Sequence, residues 1–367
     1  MARGGFSDRR VAIVHYWFVS MRGGERVVER LLHLFPDADI FTNVYDPSKM
    51  SATLNRAPIK AGFVNRLPFA NRFYQYYLPL MPMALEGLDL TAYDLVISSE
   101  SGPAKGVITR PDTTHLCYCH SPMRYLWDHY HQYRAEAPSL ARRAMPLMYH
   151  RLRQWDVSSS ARVDRFVANS SFIQQRIRKV WRRESDVIHP PVETGLFSPA
   201  DEVSDSYLWV GQMVPYKRPD LAVEAFNANG LPLTMVGTGS MLKRLRAMAK
   251  PNITFIDHLD FASLRAAYAN ARAFIMTAEE DFGITPVESM ASGRPVVAFG
   301  RGGAKDSVVP GRTGLFFDRQ EPEALIDAVQ QMERFLPDYN PEWAVQQASK
   351  FAPEQFDRKF LETVEAS

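Results

Sequence analysis

The chain reads as an α/β protein of two similar halves, each a parallel sheet covered by helices, and three observations carry that reading. Short apolar runs alternate with amphipathic helical patterns along both halves of a 367-residue chain, a length that suits two domains. A Pro-Pro pair at 190–191 ends the first series and opens a loop-like stretch running to Pro199. Charge divides at the same place: residues 1–190 hold 26 Lys and Arg against 17 Asp and Glu, whereas the remainder holds 17 against 24.

In the first half, the runs at 11–16, 94–99 and 114–119 have the length and apolar content of buried strands. Val27, Val28, Leu31, Leu32 and Phe35 recur at helical spacing, so 25–35 is a helix with one broad apolar face. In the second half, strands are expected at 207–212, 233–237, 253–256, 273–277 and 295–299, separated by helices at 220–227, 241–248 and 264–270. Phe356, Phe360, Leu361 and Val364 mark a last helix near the C-terminus. The expected domains are therefore 1–190 and 191–350, with a C-terminal helix in 351–367. Parallel sheets of this kind bind ligands beyond the carboxyl ends of their strands.

At 46% hydrophobic and 23% charged residues, the composition is that of a soluble globular protein. Cys117 and Cys119 are two apart on one expected strand, share a face and are poorly placed to bridge each other. Cys-x-Cys-His at 117–120 lacks the second ligand pair a zinc site needs. Arg9-Arg10 and the uncharged run after them lack a small-residue cleavage site and lead straight into a helical pattern, so a first core strand is expected here. No apolar stretch reaches transmembrane length. The basic first half suits an anionic membrane surface or a phosphorylated ligand, and without a nucleic-acid motif no DNA or RNA partner is expected. Attraction between two oppositely charged domains is the other reading of the same asymmetry.

Glu280 and Glu288 flank a turn and a helix start in Ala-Glu-Glu-Asp-Phe-Gly-Ile-Thr-Pro-Val-Glu-Ser-Met-Ala-Ser-Gly (278–293). Thr285, Pro286 and Glu288 have capping-box spacing, which predicts a helix beginning at Pro286 and stopped by Gly293 and Pro295. Phe282-Gly283 marks the turn before it. Backbone N–H groups at Gly283, Ile284 and Thr285, backed by the helix dipole, would hold a phosphate without a metal. In the plainer reading Glu288 merely closes its capping box and Glu280 merely ends a strand in solvent. Gly23-Gly24, between the first strand and its helix, would let a second phosphate contact approach the backbone, although the segment does not match G-x-G-x-x-G. In Gly-Gln-Met-Val-Pro-Tyr-Lys-Arg (211–218) a strand end delivers the cations Lys217 and Arg218. His120 follows a strand, where an imidazole can hydrogen-bond into a ligand site.

These elements occur together and in order: Arg-Gly-Gly-Glu-Arg-Val (22–27), Gly-Gln-Met-Val-Pro-Tyr-Lys (211–217), Gly237-Thr-Gly239, Glu280-x7-Glu288, and Gly302-Gly303 ahead of Gly311-Arg-Thr-Gly-Leu-Phe. The chain thereby resembles, over nearly its whole length, the GT-B retaining glycosyltransferases of family 4, and most of all the bacterial mannosyltransferases of O-antigen and exopolysaccharide synthesis. The resemblance implies two Rossmann-like domains facing across a cleft, with the C-terminal helix returning to the first. It implies that Glu288 accepts hydrogen bonds from the donor ribose and that Glu280 meets the sugar near its anomeric carbon. Phe282, Gly283, Ile284 and Thr285 would hold sugar and phosphate, Lys217 would neutralise the diphosphate, and Gly23 with Gly24 would close on it. His120 resembles the histidine that contacts the donor sugar. Relatives commonly carry arginine where this chain has Gln212, and Arg218 is the candidate substitute. The implied donor is GDP-mannose, with a UDP-sugar as competitor, and no cofactor or obligatory metal is expected.

Residues 47–85 contain Lys49, Arg56, Lys60, Arg66 and Arg72, no acidic residue, and an interleaved aromatic set that includes Phe69 and Tyr76. That composition suits an anionic membrane surface or a polyprenol-diphosphate-linked saccharide acceptor, which would place the protein on the inner face of a bacterial cytoplasmic membrane. An aromatic-rich excursion packed on the first domain is the plainer alternative. Two other classes remain open: a nucleotide-sugar epimerase of the same fold, which needs no lipid acceptor, and a non-catalytic sugar-nucleotide-binding subunit.

Overall fold

The apolar run at 11–16 forms a strand, β1 (Val11–His15), with all five residues buried. The computed structural model describes residues 9–367. These divide into two units, one running up to Pro190 and taking in Asp357–Ser367, the other spanning Pro191–Phe356.

In the first unit β1 is joined by β2 (Asp39–Thr42), β3 (Ile59–Ala61), β4 (Leu95–Glu100), β5 (Thr114–Cys119), β6 (Arg165–Ala168) and β7 (Asp186–Val187), in the order β3-β2-β1-β4-β5-β6-β7. Every pairing is parallel. The second unit repeats the plan with β8 (Tyr207–Val210), β9 (Leu233–Val236), β10 (Ile253–Ile256), β11 (Phe274–Met276), β12 (Val296–Phe299) and β13 (Gly314–Phe317), ordered β10-β9-β8-β11-β12-β13 and again all parallel. A parallel sheet is covered on both faces, which is why its inner strands read as unbroken apolar runs instead of alternating ones. Strand order reverses between β1 and β4 in one sheet and between β8 and β11 in the other, and ligands bind at such reversals.

The expected strands all form, within a residue or two of their bounds, whereas β2, β3, β6, β7 and β13 gave no clear apolar run. The edge strands explain part of this: β3 is only partly buried and β7 has two residues. The 22-residue helix Ser139–Ser160 was also missed, because Pro146 lies inside it and it leaves Leu140 and Leu147 exposed. The last helix, Pro353–Glu365, buries Phe360 beside Tyr118, and its Asp357 takes the Arg30 guanidinium. Cys117 and Cys119 are buried free thiols. Among the described residues, no helix is long and apolar enough to cross a membrane.

Candidate functional site

In the second unit the loop after β11 carries Glu280 and leads into the helix Ile284–Ala291. That helix starts one residue before the expected Thr285 cap. Gly283 is the N-cap, at φ 84°, a backbone conformation that glycine adopts without strain, and as a glycine it offers no side-chain acceptor to the first N–H groups. The capping box is therefore not formed, and Glu288 is released from it: its Oε2 accepts a hydrogen bond from the Tyr268 hydroxyl at 2.9 Å. Burial raises the Tyr268 pKa well above the ordinary tyrosine range, so its hydroxyl stays a donor.

Lys217 ends a short 3-10 turn, Pro215–Lys217, beyond β8. Its Nζ lies 2.9 Å from Glu280 Oε1, so the carboxylate that had no structural partner in the sequence has one in the fold. Thr277 holds this corner: its hydroxyl donates to the Lys217 carbonyl at 2.8 Å and accepts from Trp209 Nε1 at 3.2 Å. Lys217, Thr277, Glu280 and Thr285 line one small pocket of about 20 Å3, room for about one water molecule. The loop is pressed from behind by Gly302-Gly303, where the Gly303 N–H donates to the Glu280 carbonyl at 2.9 Å.

Other expected donor residues lie differently. Arg218 takes the left-handed conformation at φ 51° and points Nε at both Asp220 oxygens, 3.2 Å away, so its charge is already matched. Phe282 buries its ring 5.5 Å from that of Phe351, and any role at the site falls to its backbone. Gln212 is exposed.

In the first unit Gly23 and Gly24 are the first two residues of the helix Gly23–Leu34, and Glu25 accepts the Arg22 N–H at 2.9 Å. A Cβ on Gly24 would lie 2.7 Å from the Tyr16 hydroxyl, 3.4 Å from His15 Cε1 and 3.6 Å from His120 Nε2, so any larger residue there would have to displace the Tyr16 hydroxyl. His120 Nε2 is 2.8 Å from Ser99 Oγ, which is 3.0 Å from His15 Nδ1. Burial, with a smaller contribution from His15, pushes the His120 pKa down to about 3, so the ring is neutral at physiological pH. Behind it Lys105 is fully buried between Glu100 and Asp156, with Trp127 and Trp181 each donating Nε1 to Asp156 at 2.8 Å. The Glu100 carbonyl accepts the His120 N–H at 2.8 Å, which ties this network to the histidine.

Two features were not foreseen. A cavity of about 290 Å3 is walled by Tyr16, Trp17, Tyr74, Tyr125, Tyr133 and Tyr149, with Arg22, Glu25 and Arg124 among its polar groups. Tyr125 buries its hydroxyl there with no hydrogen-bond partner among the described residues. These aromatics come from four separate chain segments, so no local pattern announces the cavity. The second feature is the His15–Ser99 contact, whose only sequence signal is a polar residue at the end of each apolar run.

The basic aromatic segment divides. Lys60 lies on edge strand β3, 3.0 Å from Asp39 and 3.2 Å from the Tyr93 hydroxyl. Phe69 and Tyr76 are 72% and 67% exposed, and Phe73 bridges them with ring separations of 6.3 and 6.1 Å. Arg72 lies over the Phe73 ring, and Arg66 is exposed.

Comparison with known proteins follows this geometry. Residues 21–196 match the family model described as Glycosyltransferase Family 4, and residues 204–334 match that for Glycosyl transferases group 1. The chain belongs to the family 4 glycosyltransferases. Among curated relatives, the GDP-mannose-dependent alpha-mannosyltransferase of Mycolicibacterium smegmatis is 38% identical over 111 residues, covering 30% of this family 4 chain and 29% of that protein. The D-inositol 3-phosphate glycosyltransferase of Acidothermus cellulolyticus is 30% identical over 204 residues, 46% and 45% of the two chains. The matches thus span from under a third to about half the length of these relatives. Among solved structures, Anabaena Alr3699/HepE in complex with UDP and glucose aligns at a TM-score of 0.70 and 15% identity over 98% of this chain and all of that one. The sucrose-phosphate synthase of Thermosynechococcus elongatus aligns at 0.71 and 18%, over 98% and 99%. With the two parallel sheets, these establish the GT-B fold.

Proposed function

We propose that this protein is a retaining glycosyltransferase that moves a hexose from a nucleotide diphosphate sugar to a saccharide acceptor, with no obligatory metal. The observation that carries the reading is the meeting of Lys217, Glu280 and Thr285 in one pocket at the start of the Ile284–Ala291 helix. Negative charge grows on the diphosphate as the glycosidic bond breaks, so an ammonium and a helix N-terminus there stabilise the transition state more than the ground state. Glu280 orients sugar hydroxyls, and Glu288, held by Tyr268, accepts from the ribose.

GDP-mannose is the donor we favour, because mannosyltransferases from Mycolicibacterium smegmatis and Mycobacterium tuberculosis stand among the relatives. A UDP-sugar is the second reading, supported by the HepE complex with UDP-glucose. The aromatic cavity of the first unit suits the acceptor saccharide, since its volume and mixture of ring faces and hydroxyls match a sugar better than a lipid chain. The exposed Phe69–Phe73–Tyr76 row with Arg66 and Arg72 suits the headgroup layer, which supports a polyprenol-diphosphate-linked acceptor at the inner face of a bacterial membrane, in surface or exopolysaccharide synthesis.

The test is a nucleotide-release assay with GDP-mannose, UDP-glucose, UDP-galactose and UDP-GlcNAc, with and without chelator and a lipid-linked acceptor. Acceptor-dependent GDP release that survives chelator is expected. Isomerised donor without transfer would indicate an epimerase, and no turnover with any donor would leave only a binding role. Negligible cosedimentation with anionic vesicles at low salt would defeat the membrane assignment.

A further inference from the structure

Four side chains of the first unit form a line that none of the motifs describes: Glu25, His15, Ser99 and His120. Strand register assembles it. β1 pairs with β4 so that His15 stands opposite Ser99, and β4 pairs with β5 so that Cys119 stands opposite Glu100, which brings His120 out next to Ser99. The three residues therefore emerge from the carboxyl ends of adjacent strands, at the point where strand order reverses.

We infer that Glu25, acting through His15 and the Ser99 hydroxyl, sets the tautomer of His120, so that His120 carries its proton on Nε2 and offers its Nδ1 lone pair to a substrate hydroxyl.

The argument counts protons. Ser99 Oγ lies 3.0 Å from His15 Nδ1 and 2.8 Å from His120 Nε2, yet it has one proton to donate. A serine oxygen has two lone pairs but one proton, so the two imidazoles cannot both accept from it and at least one must donate its N–H. Glu25 decides which. Its Oε1 stands 3.6 Å from His15 Nε2, too far for a hydrogen bond but close enough for the carboxylate to favour a proton on that nitrogen over a lone pair. His15 is fully buried and Glu25 is 2% exposed, so little solvent screens the preference. In an uncharged imidazole, a proton on Nε2 leaves Nδ1 of His15 as the acceptor of the Ser99 hydroxyl. The serine oxygen is then free to accept from His120 Nε2–H. The His120 ring is neutral and has no second proton, so its Nδ1 is a lone pair.

The parts are held in place. Glu25 is anchored by the Arg22 N–H on its other oxygen, and the His15 ring is wedged by Tyr16 and Phe18 at centroid distances of 4.0 and 4.5 Å. Gly24 leaves room over both imidazoles for the backbone to close on them. Naming the hydroxyl as a sugar's rests on the proposed transferase function; the tautomer itself does not. Glu25, His15 and Ser99 are positioning residues in this scheme, and His120 alone meets substrate.

The test uses full-length protein with 15N-labelled histidine, in buffer above the ordinary histidine pKa of about 6.5, with signals assigned through His120→Gln and His15→Gln. Long-range proton–nitrogen spectra should show His120 protonated at Nε2 and bare at Nδ1. Glu25→Gln keeps the capping hydrogen bond, because glutamine serves at that helix position as well as glutamate does. It should leave the melting temperature nearly unchanged while shifting His120 toward a tautomer mixture, and Ser99→Ala should do the same. Turnover in Glu25→Gln should fall roughly tenfold, the worth of one hydrogen bond, with no further loss when added to His120→Gln. A His120 protonated at Nδ1 in the unmutated protein would overturn the inference, as would a His120 spectrum indifferent to Glu25→Gln. The expected spectra together with no turnover on any nucleotide sugar would uphold the relay and defeat the transferase reading, so the two fail separately.

Discussion

Gly303→Ala tests whether the loop bearing Glu280 must sit where it does. A Cβ at Gly303 would lie 2.3 Å from the Phe282 Cα, 2.5 Å from the Asp281 carbonyl oxygen and 2.7 Å from that of Phe282. All three are backbone atoms, so no side chain can swing aside. Real Cβ atoms essentially never come within 3.0 Å of another atom and ordinarily stand at 3.4 Å or more, so the 280–282 segment must retreat by about 1 Å. That motion also strains the Gly303 N–H bond to the Glu280 carbonyl and carries the carboxylate away from Lys217. A misplacement of about 1 Å in a catalytic group costs about 100-fold in rate, or about 2.7 kcal/mol of transition-state stabilisation. The assay is kcat/KM for donor-dependent nucleotide release, with thermal melts in parallel, and Gly195→Ala as control because a Cβ there meets nothing within 4 Å. A folded Gly303→Ala protein within about twofold of the parent would refute the claim that this contact positions the site.

Three further outcomes follow from the same geometry. Lys105→Met strands Glu100 and Asp156 as uncompensated buried carboxylates and should cost about 3–5 kcal/mol of stability, read by denaturant unfolding. Burial pushes the Glu100 pKa up to about 7 against Lys105's opposing pull, so the folded state keeps a proton that the unfolded chain loses near the ordinary glutamate value. Stability should accordingly fall as pH rises through that window and level off above it, and Glu100→Gln should flatten the slope; an unchanged slope would refute the assignment. In Lys217→Met the KM for donor should rise, whereas Glu280→Gln removes a competitor for the Lys217 ammonium and should lower kcat without weakening nucleotide diphosphate binding. The pair is partly exposed, so the exchange is worth at most about 1 kcal/mol, and equal losses of nucleotide affinity in both variants, by calorimetry, would contradict these roles.

How much of this was legible in the sequence depended on whether the relevant physics was local. Inner parallel strands are buried on both faces, so β1, β4, β5, β8, β9, β11 and β12 announced themselves as apolar runs, whereas β10 is an edge strand found from its Ile-Thr-Phe-Ile composition alone. Edge strands β3 and β7 are short and partly solvated, and they take their identity from a neighbour rather than from composition. The same limit applied to the helix before Glu288. Capping-box spacing is a local rule, and Thr285-Pro-Val-Glu288 satisfies it, yet the Gly302-Gly303 backbone packs against 280–282 and the chain turns into the helix at Gly283 instead. A long-range close approach overrode a short-range preference.

The candidate site shows the matching asymmetry between charges and their partners. Motif spacing named Lys217, Glu280, Glu288 and His120, because each stands at a strand end or helix start that the pattern locates. Their contacts were invisible, since Lys217–Glu280, Tyr268–Glu288 and Ser99–His120 join residues 63, 20 and 21 positions apart through sheet order and register. Those contacts change the chemistry. Glu280 is one half of an ion pair, so its removal alters Lys217 as well, and an alanine at 280 would report two effects at once. Arg218 had the charge to replace the arginine missing at Gln212, but Asp220 already holds its guanidinium, so in the proposed transferase reading the ammonium of Lys217 is the cation the pocket offers to a diphosphate. In that reading a donor draws the ammonium from Glu280, and the carboxylate so released accepts from the sugar hydroxyls beside it.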